Sequence, residues 1–321
     1  MKILITGNAG FIGGYLTRLL IAGGYDVIGL DKNLQNPQAK ICRCITGNIL
    51  DREVVLKAMA GTDLVINLAA EHKDFGISRE LYFEVNQLGT RTLLECATEL
   101  GVKRFLFYSS VAVYSPSELP VSDDSPSIPA NDYGESKLAA EGEVVKWQEE
   151  ADDRSATIIR PTVVYGPYNV ANMYRLIDTV YRRRFLRVGA LRNIKSISYV
   201  ENLVAATLFL IEQPQSGLFR TIYVDEPQMP TIDIVRHIAD RLEIPPPQLQ
   251  IPLQLALPLA AVLDLAGSLF KIDLPITATR IRKLNTQTLF QSDRLGELGY
   301  RAEVTNREGL HRMVDWYRRQ L

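Results

Sequence analysis

The run Lys2-Ile3-Leu4-Ile5-Thr6 passes directly into Gly7-Asn8-Ala9-Gly10-Phe11-Ile12-Gly13 and then into an apolar-periodic segment over residues 15–22. Strand, glycine-rich turn and helix in that order constrain the fold more than any other stretch of the chain. Gly7 permits the tight turn, Gly10 lets backbone N–H groups approach a pyrophosphate, and Gly13 lets the helix pack closely on the strand. The diphosphate would rest at the helix N-terminus, where unsatisfied N–H groups and the dipole favour negative charge. The spacing is G-x-x-G-x-x-G, so its meaning depends on the residues downstream of the helix.

After Gly23-Gly24, a second strand over residues 26–30 ends at Asp31. That is close to the roughly 20-residue distance at which an acidic group meets the adenosine ribose of a dinucleotide. A carboxylate accepts from the 2′-hydroxyl and repels a 2′-phosphate, so NAD is favoured over NADP, with Lys32 weakening the preference slightly. The alternation continues with a third strand over 41–45, a helix over 51–59, a fourth strand over 63–70, a helix over 81–100 and a fifth strand over 104–109. Such near-continuous apolar strands indicate an α/β fold with a parallel sheet covered on both faces. Ala69 and Ala70 leave room for a cofactor against the fourth strand end.

Tyr133-Gly134-Glu135-Ser136-Lys137 carries candidate chemistry. Tyr and Lys four apart share one helix face, so an ammonium sits beside a phenol and favours the phenolate. Tyr133 can then take a proton from a hydroxyl or return one to a carbonyl oxygen. Ser110, at the end of the fifth strand, can hydrogen-bond the reacting oxygen.

Composition excludes several classes. The chain's 321 residues, 46% hydrophobic, can bury a large core of one or two domains, and a net charge of -1 argues against a nucleic-acid partner. Three cysteines, Cys42, Cys44 and Cys96, form no C-x-x-C and fit a reduced compartment. Cys42 and Cys44 would share a strand face without a second ligand pair, and His72, His237 and His311 are scattered, so no metal site is expected. Met1-Lys2 leads straight into the first strand, so a cytoplasmic protein without a leader is expected. Residues 253–270 are strongly apolar, yet Pro258 and Asp264 interrupt them, and spanning a membrane is not expected. A buried or partner-covered helix is the simpler reading, with peripheral membrane attachment the alternative.

GNAGFIG, Asp31, NLAA (67–70), VNQLGT (85–90), YSSVAVY (108–114), YGESK and RPTVVYGP (160–167) stand in the order and spacing of a known family. In these motifs the chain resembles the extended short-chain dehydrogenase/reductases, in their NAD-dependent nucleotide-sugar epimerase/dehydratase branch. The likeness is close to about residue 205 and looser beyond.

It implies a Rossmann-type doubly wound parallel sheet, with residues 1–165 and 197–226 as the NAD-binding domain. Residues 166–196 and 227–321 would form a smaller C-terminal substrate-binding domain. It implies a catalytic set of Ser110, Tyr133 and Lys137, with Ser110 preferred to Ser109. The implied cofactor contacts are Gly7, Gly10, Phe11, Ile12, Gly13, Asp31, Asn48, Ile49, Leu68, Ala69, Ala70, Asn86, Tyr133, Lys137 and Pro161. The implied substrate contacts are Ser110, His72, Asn172, Lys195, Arg280 and Arg282. The Arg182-Arg183-Arg184 run reads as a solvated helix end.

Two departures narrow the function. Val111-Ala112 follows Ser110 where sugar dehydratases of the family carry an acid pair, and Val163 replaces an asparagine common in hexose epimerases. The expected activity is nucleotide-sugar 4-epimerisation in polysaccharide sugar biosynthesis, on a UDP-linked substrate, by a homodimer. A nucleotide 4-keto-sugar reductase is the nearest alternative. A non-sugar carbonyl reductase and a non-catalytic NAD sensor stand further off, the sensor opposed by the intact Ser110, Tyr133 and Lys137.

Overall fold

The structure is a computed structural model that describes residues 1–33, 41–73, 76–214, 216–258, 260–261 and 278–321, the side chains of 279, 280 and 283 excepted. Seven parallel strands form one sheet: β1 (Lys2–Thr6), β2 (Asp26–Asp31), β3 (Arg43–Thr46), β4 (Leu64–Asn67), β5 (Arg104–Tyr108), β6 (Ser155–Pro161) and β7 (Gly217–Tyr223). Their spatial order is β7-β6-β5-β4-β1-β2-β3. The direction of winding reverses at β1 and β4, and the crevice beyond the C-terminal ends of strands at such a point is where open α/β sheets bind ligands.

The continuous apolar strands resolve into two faces. Leu4, Val65, Phe105 and Phe107 pack on one side, against α2 (Arg52–Met59), α4 (Gly89–Glu99) and α5 (Asp132–Glu149). Ile3, Ile5, Ile66, Leu106 and Tyr108 pack on the other, against α1 (Phe11–Ala22) and α7 (Val200–Glu212). Successive side chains alternate across a strand, so covering both faces demands an unbroken apolar run. Burying each large apolar side chain contributes about 1.5–3 kcal/mol.

Several local readings are corrected. The run expected as one helix over 81–100 consists of α3 (Arg79–Tyr82), a π-helical turn (Phe83–Leu88) and α4. The widened turn carries Asn86 inward, to 1% exposure, and such turns occur frequently at functional sites. Strand β4 stops at Asn67 and runs into the expected small-residue turn, where the Ala69 N–H bonds Thr6 Oγ1 and Asn67 Oδ1 instead of a ladder partner. Strand β3 begins at Arg43, so Cys42 precedes it; the two thiols nevertheless lie side by side, Sγ to Sγ 3.5 Å. Helix α6 (Asn172–Tyr181) ends before the arginine run, where Arg183 takes a positive φ of 57°.

Toward the C-terminus, α6, α8 (Thr231–Arg241) and α11 (Asn306–Arg318) share a second core that includes Ile177, Val235, Ile238, Leu310 and Met313. Between α8 and α11 lie α9 (Ala278–Asn285) and the short α10 (Arg294–Glu297). Of the apolar run 253–270, residues 253–258, 260 and 261 are helical and the remainder lies outside the described residues. Among the described residues no helix is long and apolar enough to cross a membrane, and no cluster of His, Cys, Asp and Glu could hold a metal ion.

Candidate active site

The strand ends and the glycine-rich turn enclose a cavity of about 470 Å³. Its floor is the β1–α1 turn. Gly7 adopts φ +71°, and a Cβ there would stand 2.8 Å from the Ala69 nitrogen; a Cβ on Gly13 would stand 2.3 Å from the Gly7 oxygen. Both positions therefore require glycine, one for its backbone and one for the close seating of α1. No side chain caps the first turn of α1, and no acidic residue occupies it. Its free N–H groups and dipole are available to a diphosphate.

Asp31 lines the same cavity. Its Oδ2 accepts from the Ala9 N–H at 3.1 Å and its Oδ1 from the Asn33 N–H at 2.9 Å, so the carboxylate both braces the turn and keeps lone pairs for a ribose diol. Lys32 points to Glu71, at 3.7 Å. Asp31→Ala should therefore weaken NAD roughly tenfold or more, the worth of hydrogen bonds to a charged group, and narrow its advantage over NADP. Fluorescence titration of both cofactors measures the gap, and equal affinities in the unmodified chain would refute the assignment.

The opposite wall is built by α5. Asn131 Oδ1 caps it by accepting from the Gly134 N–H at 2.8 Å. A Cβ on Gly134 would stand 2.0 Å from the Ala112 oxygen, so this glycine lets the helix touch the 3₁₀ turn Val111–Val113 that follows Ser110. Ser110, Tyr133 and Lys137 consequently line one cavity together with the glycine turn. Ser110 Oγ accepts from the Ala112 N–H at 3.1 Å, which leaves its own proton to donate. The ring of Tyr82 packs beside that of Tyr133, centroids 6.0 Å apart.

Lys137 is 2% exposed, and its Nζ donates to the Tyr108 carbonyl at 2.6 Å. Burial pulls its pKa down to about 7, against the opposing pull of Glu141 one turn further along α5. Glu141 is itself 2% exposed. It accepts from Arg160 Nε at 2.8 Å, Arg160 Nη2 at 2.5 Å and Ser109 Oγ at 2.5 Å. Arg160 also donates to the Tyr114 hydroxyl. The Ser109 proton is thus committed to a carboxylate, which distinguishes it from Ser110.

Every expected residue of the glycine turn lines this cavity, as do Asn48, Ile49, Leu68, Ala69, Ala70, His72 and Pro161. Asn86 does not. Its amide donates to the Glu71 carbonyl and to Ser136 Oγ and accepts from the Glu71 N–H, so it braces the wall from behind. Val163 is also off the wall, while Thr162 and Val164 on either side are on it.

Asn172 opens α6 next to the wall residue Ala171 but is not itself part of the wall. Lys195 donates to the Thr286 carbonyl, and Arg282 O accepts from the Thr286 N–H, so these two distant candidates are brought together away from the cavity. The Arg280 side chain lies outside the described residues. The sequence reading missed Asn169, Thr162, and the pair Glu141–Arg160. For Glu141 a signal existed: Tyr133, Lys137 and Glu141 recur every fourth residue along one helix face.

A dinucleotide turn joined to a Tyr/Lys/Ser set defines an NAD-dependent enzyme of the dehydrogenase/reductase class. The chain belongs to the NAD dependent epimerase/dehydratase family, whose model matches residues 3–224. It is 32% identical, over 98% of its own length and 95% of the relative's, to an N-acetyl-α-D-glucosaminyl-diphospho-ditrans,octacis-undecaprenol 4-epimerase of Escherichia coli O157:H7. It is also 32% identical, over 78% of its length and 79% of the relative's, to a UDP-glucose 4-epimerase of Vibrio cholerae. Its fold is that of UDP-glucuronic acid 4-epimerase from Bacillus cereus, solved with UDP-glucuronic acid and NAD, at a TM-score of 0.79, 22% identity and full coverage of both chains. The cofactor is NAD.

Proposed function

We propose that the chain is a sugar 4-epimerase acting on a diphosphate-linked hexose. The observation that carries this reading is the composition of the cavity wall: Tyr133, Lys137 and Ser110 stand with the glycine turn, and Asp31 is the only carboxylate among the described wall residues. Eliminating water from a sugar needs a general acid at the reacting carbon, and Asp31 sits at the far, cofactor end. Oxidation and reduction at C4 need none beyond the phenol.

In this reading Tyr133 removes the proton of the 4-hydroxyl, and Ser110 donates to the same oxygen as it becomes a carbonyl. Lys137 favours the phenolate and holds the nicotinamide ribose. NAD, when bound, supplies the hydride acceptor and, in the second half-reaction, the donor. The keto sugar then turns, and Tyr133 returns the proton to its oxygen.

For the carrier, the UDP-linked sugar is the first reading, in a substrate region of residues 166–196 and 227–321 where Asn172 opens the helix beside the cavity wall and Lys195 and Arg282 meet outside it. A polyprenyl-diphosphate carrier is the second reading, supported by the match to the undecaprenol-linked 4-epimerase over 98% of this chain. With either carrier the reading we propose is of a cytoplasmic enzyme that serves polysaccharide sugar synthesis. Incubating NAD-loaded protein with sugars on each carrier, followed by NMR of the C4 configuration, should yield an epimer without added cofactor. Steady NADH oxidation by a 4-keto sugar, with no epimer from any carrier, would assign the reductase instead; no turnover at all would leave the sensor.

The assembly rests on the same helices. Helices α4 and α5 flank a surface groove of about 510 Å³ lined by Arg91, Leu94, Ala139, Gly142, Lys146 and Trp147, among others, and a Cβ on Gly142 would meet nothing within 4 Å. We assign this face to a two-fold contact with a second copy, the commonest closed symmetry. Light scattering should give a dimer that Gly142→Arg converts to monomer; a concentration-independent monomer in the unmodified chain would refute the contact.

A further inference from the structure

Two segments far apart in sequence meet at the edge of the C-terminal region. Arg187–Val188 pairs in parallel with Gln250–Ile251, Arg187 opposite Gln250 and Val188 opposite Ile251. Leu186 and Leu249 each immediately precede one of the two paired strands, and they are 41% and 73% exposed. Residues 253–258 then form a helical turn whose Leu253, Ala256 and Leu257 pack with Val188 and Ile281. Leu255, on the opposite side of that turn, is 67% exposed. Single exposed leucines are ordinary, but three on one small body make an apolar edge.

Cations outnumber acids around this edge, where Asp178 and Glu243 flank the two segments. Residues 179–200 hold Arg182, Arg183, Arg184, Arg187, Arg192 and Lys195 and no acidic residue, and residues 244–258 hold no charge at all, in a chain whose net charge is -1. Arg182 is paired with Asp178 at 2.8 Å, while Arg183 and Arg184 stand exposed just before Leu186. Residues 244–258 also contain Pro245, Pro246, Pro247, Pro252 and Pro258. Proline has no N–H, so five of these fifteen residues bring no backbone donor to strand when the segment leaves water.

We propose that this edge docks on an anionic bilayer surface, the three leucines entering the headgroup boundary and Arg183 and Arg184 meeting lipid phosphates. Apolar burial and attraction to anionic headgroups add together in such binding, and long arginine stems reach phosphate while their methylenes stay in apolar surroundings. Under the polyprenyl-carrier reading the enzyme would then meet its substrate where that substrate is anchored. Vesicle binding needs no turnover, so the docking surface and the epimerase reading stand or fall separately.

The test is sedimentation of the full chain with vesicles of phosphatidylcholine alone or mixed with phosphatidylglycerol. Binding should require phosphatidylglycerol, weaken with salt, and fall roughly tenfold or more in Arg183→Glu/Arg184→Glu, given the ~1 kcal/mol that each basic residue contributes near such a surface. Leu249→Glu/Leu255→Glu should lose binding as well, with NAD affinity retained in both variants as the measure of folding. No binding to either vesicle, equal binding to both, or binding untouched by the substitutions would overturn the proposal. Self-association abolished by the leucine substitutions without vesicle binding would overturn it in favour of a second copy.

Discussion

Tyr133→Phe should lower epimerisation by at least about a hundredfold, the usual worth of a positioned acid/base group, and leave NAD affinity unchanged. The phenol lines the cavity that the glycine turn and Asp31 also line, and in the proposed reading the turn and Asp31 would hold the dinucleotide without the hydroxyl. The substitution keeps the ring and its packing on Tyr82. A loss that acts on turnover and not on cofactor binding is the signature of an interaction made in the transition state. Paired measurements of C4 inversion and NAD titration check it. Undiminished inversion would remove Tyr133 from the reaction; loss of NAD binding would make its role structural.

Glu141→Ala should destabilise the fold by about 3–5 kcal/mol, because it leaves the buried Arg160 guanidinium without its counter-ion and Ser109 without an acceptor. Arg160 and Glu141 are 1% and 2% exposed, so water cannot substitute for the lost carboxylate. A lowered urea midpoint at constant slope reads the effect. Glu141→Leu combined with Arg160→Met should recover much of the loss, since an apolar pair removes both desolvated charges. Glu141 also opposes the burial of Lys137, the residue it follows by one turn. With Glu141→Gln the carboxylate charge is gone while the shape remains, and the Lys137 titration should move below about 7. A stable Glu141→Ala protein with an unmoved pH profile would contradict both parts.

What was legible in the sequence is what local spacing encodes. Gly7, Gly10 and Gly13 after an apolar strand specify a turn that few other conformations can use, and a Tyr and Lys four apart on a helix share a face whatever surrounds them. The alternation of strands and helices carries the parallel sheet, because strands buried on both faces must be apolar throughout. Less legible were the places where a distant group decides a local conformation. The π turn at Phe83–Leu88 exists where Asn86 reaches Glu71 and Ser136, and the end of β4 depends on the Thr6 hydroxyl.

The sequence alone thus determined the fold class and the cofactor, and it named Ser110, Tyr133 and Lys137 as candidates, the Tyr–Lys pair by its spacing on one helix face and the serine by its place in the family motifs. Only the tertiary structure decided which groups support them: that Ser109 is bound to Glu141, that Gly134 admits the Ser110 turn, and that Asn86 lies behind the wall. It likewise paired Arg187 with Gln250 and Val188 with Ile251, which brings together the segments that carry Leu186 and Leu249. Contacts across long separations depend on how whole layers pack, and no short pattern in the chain carries that information.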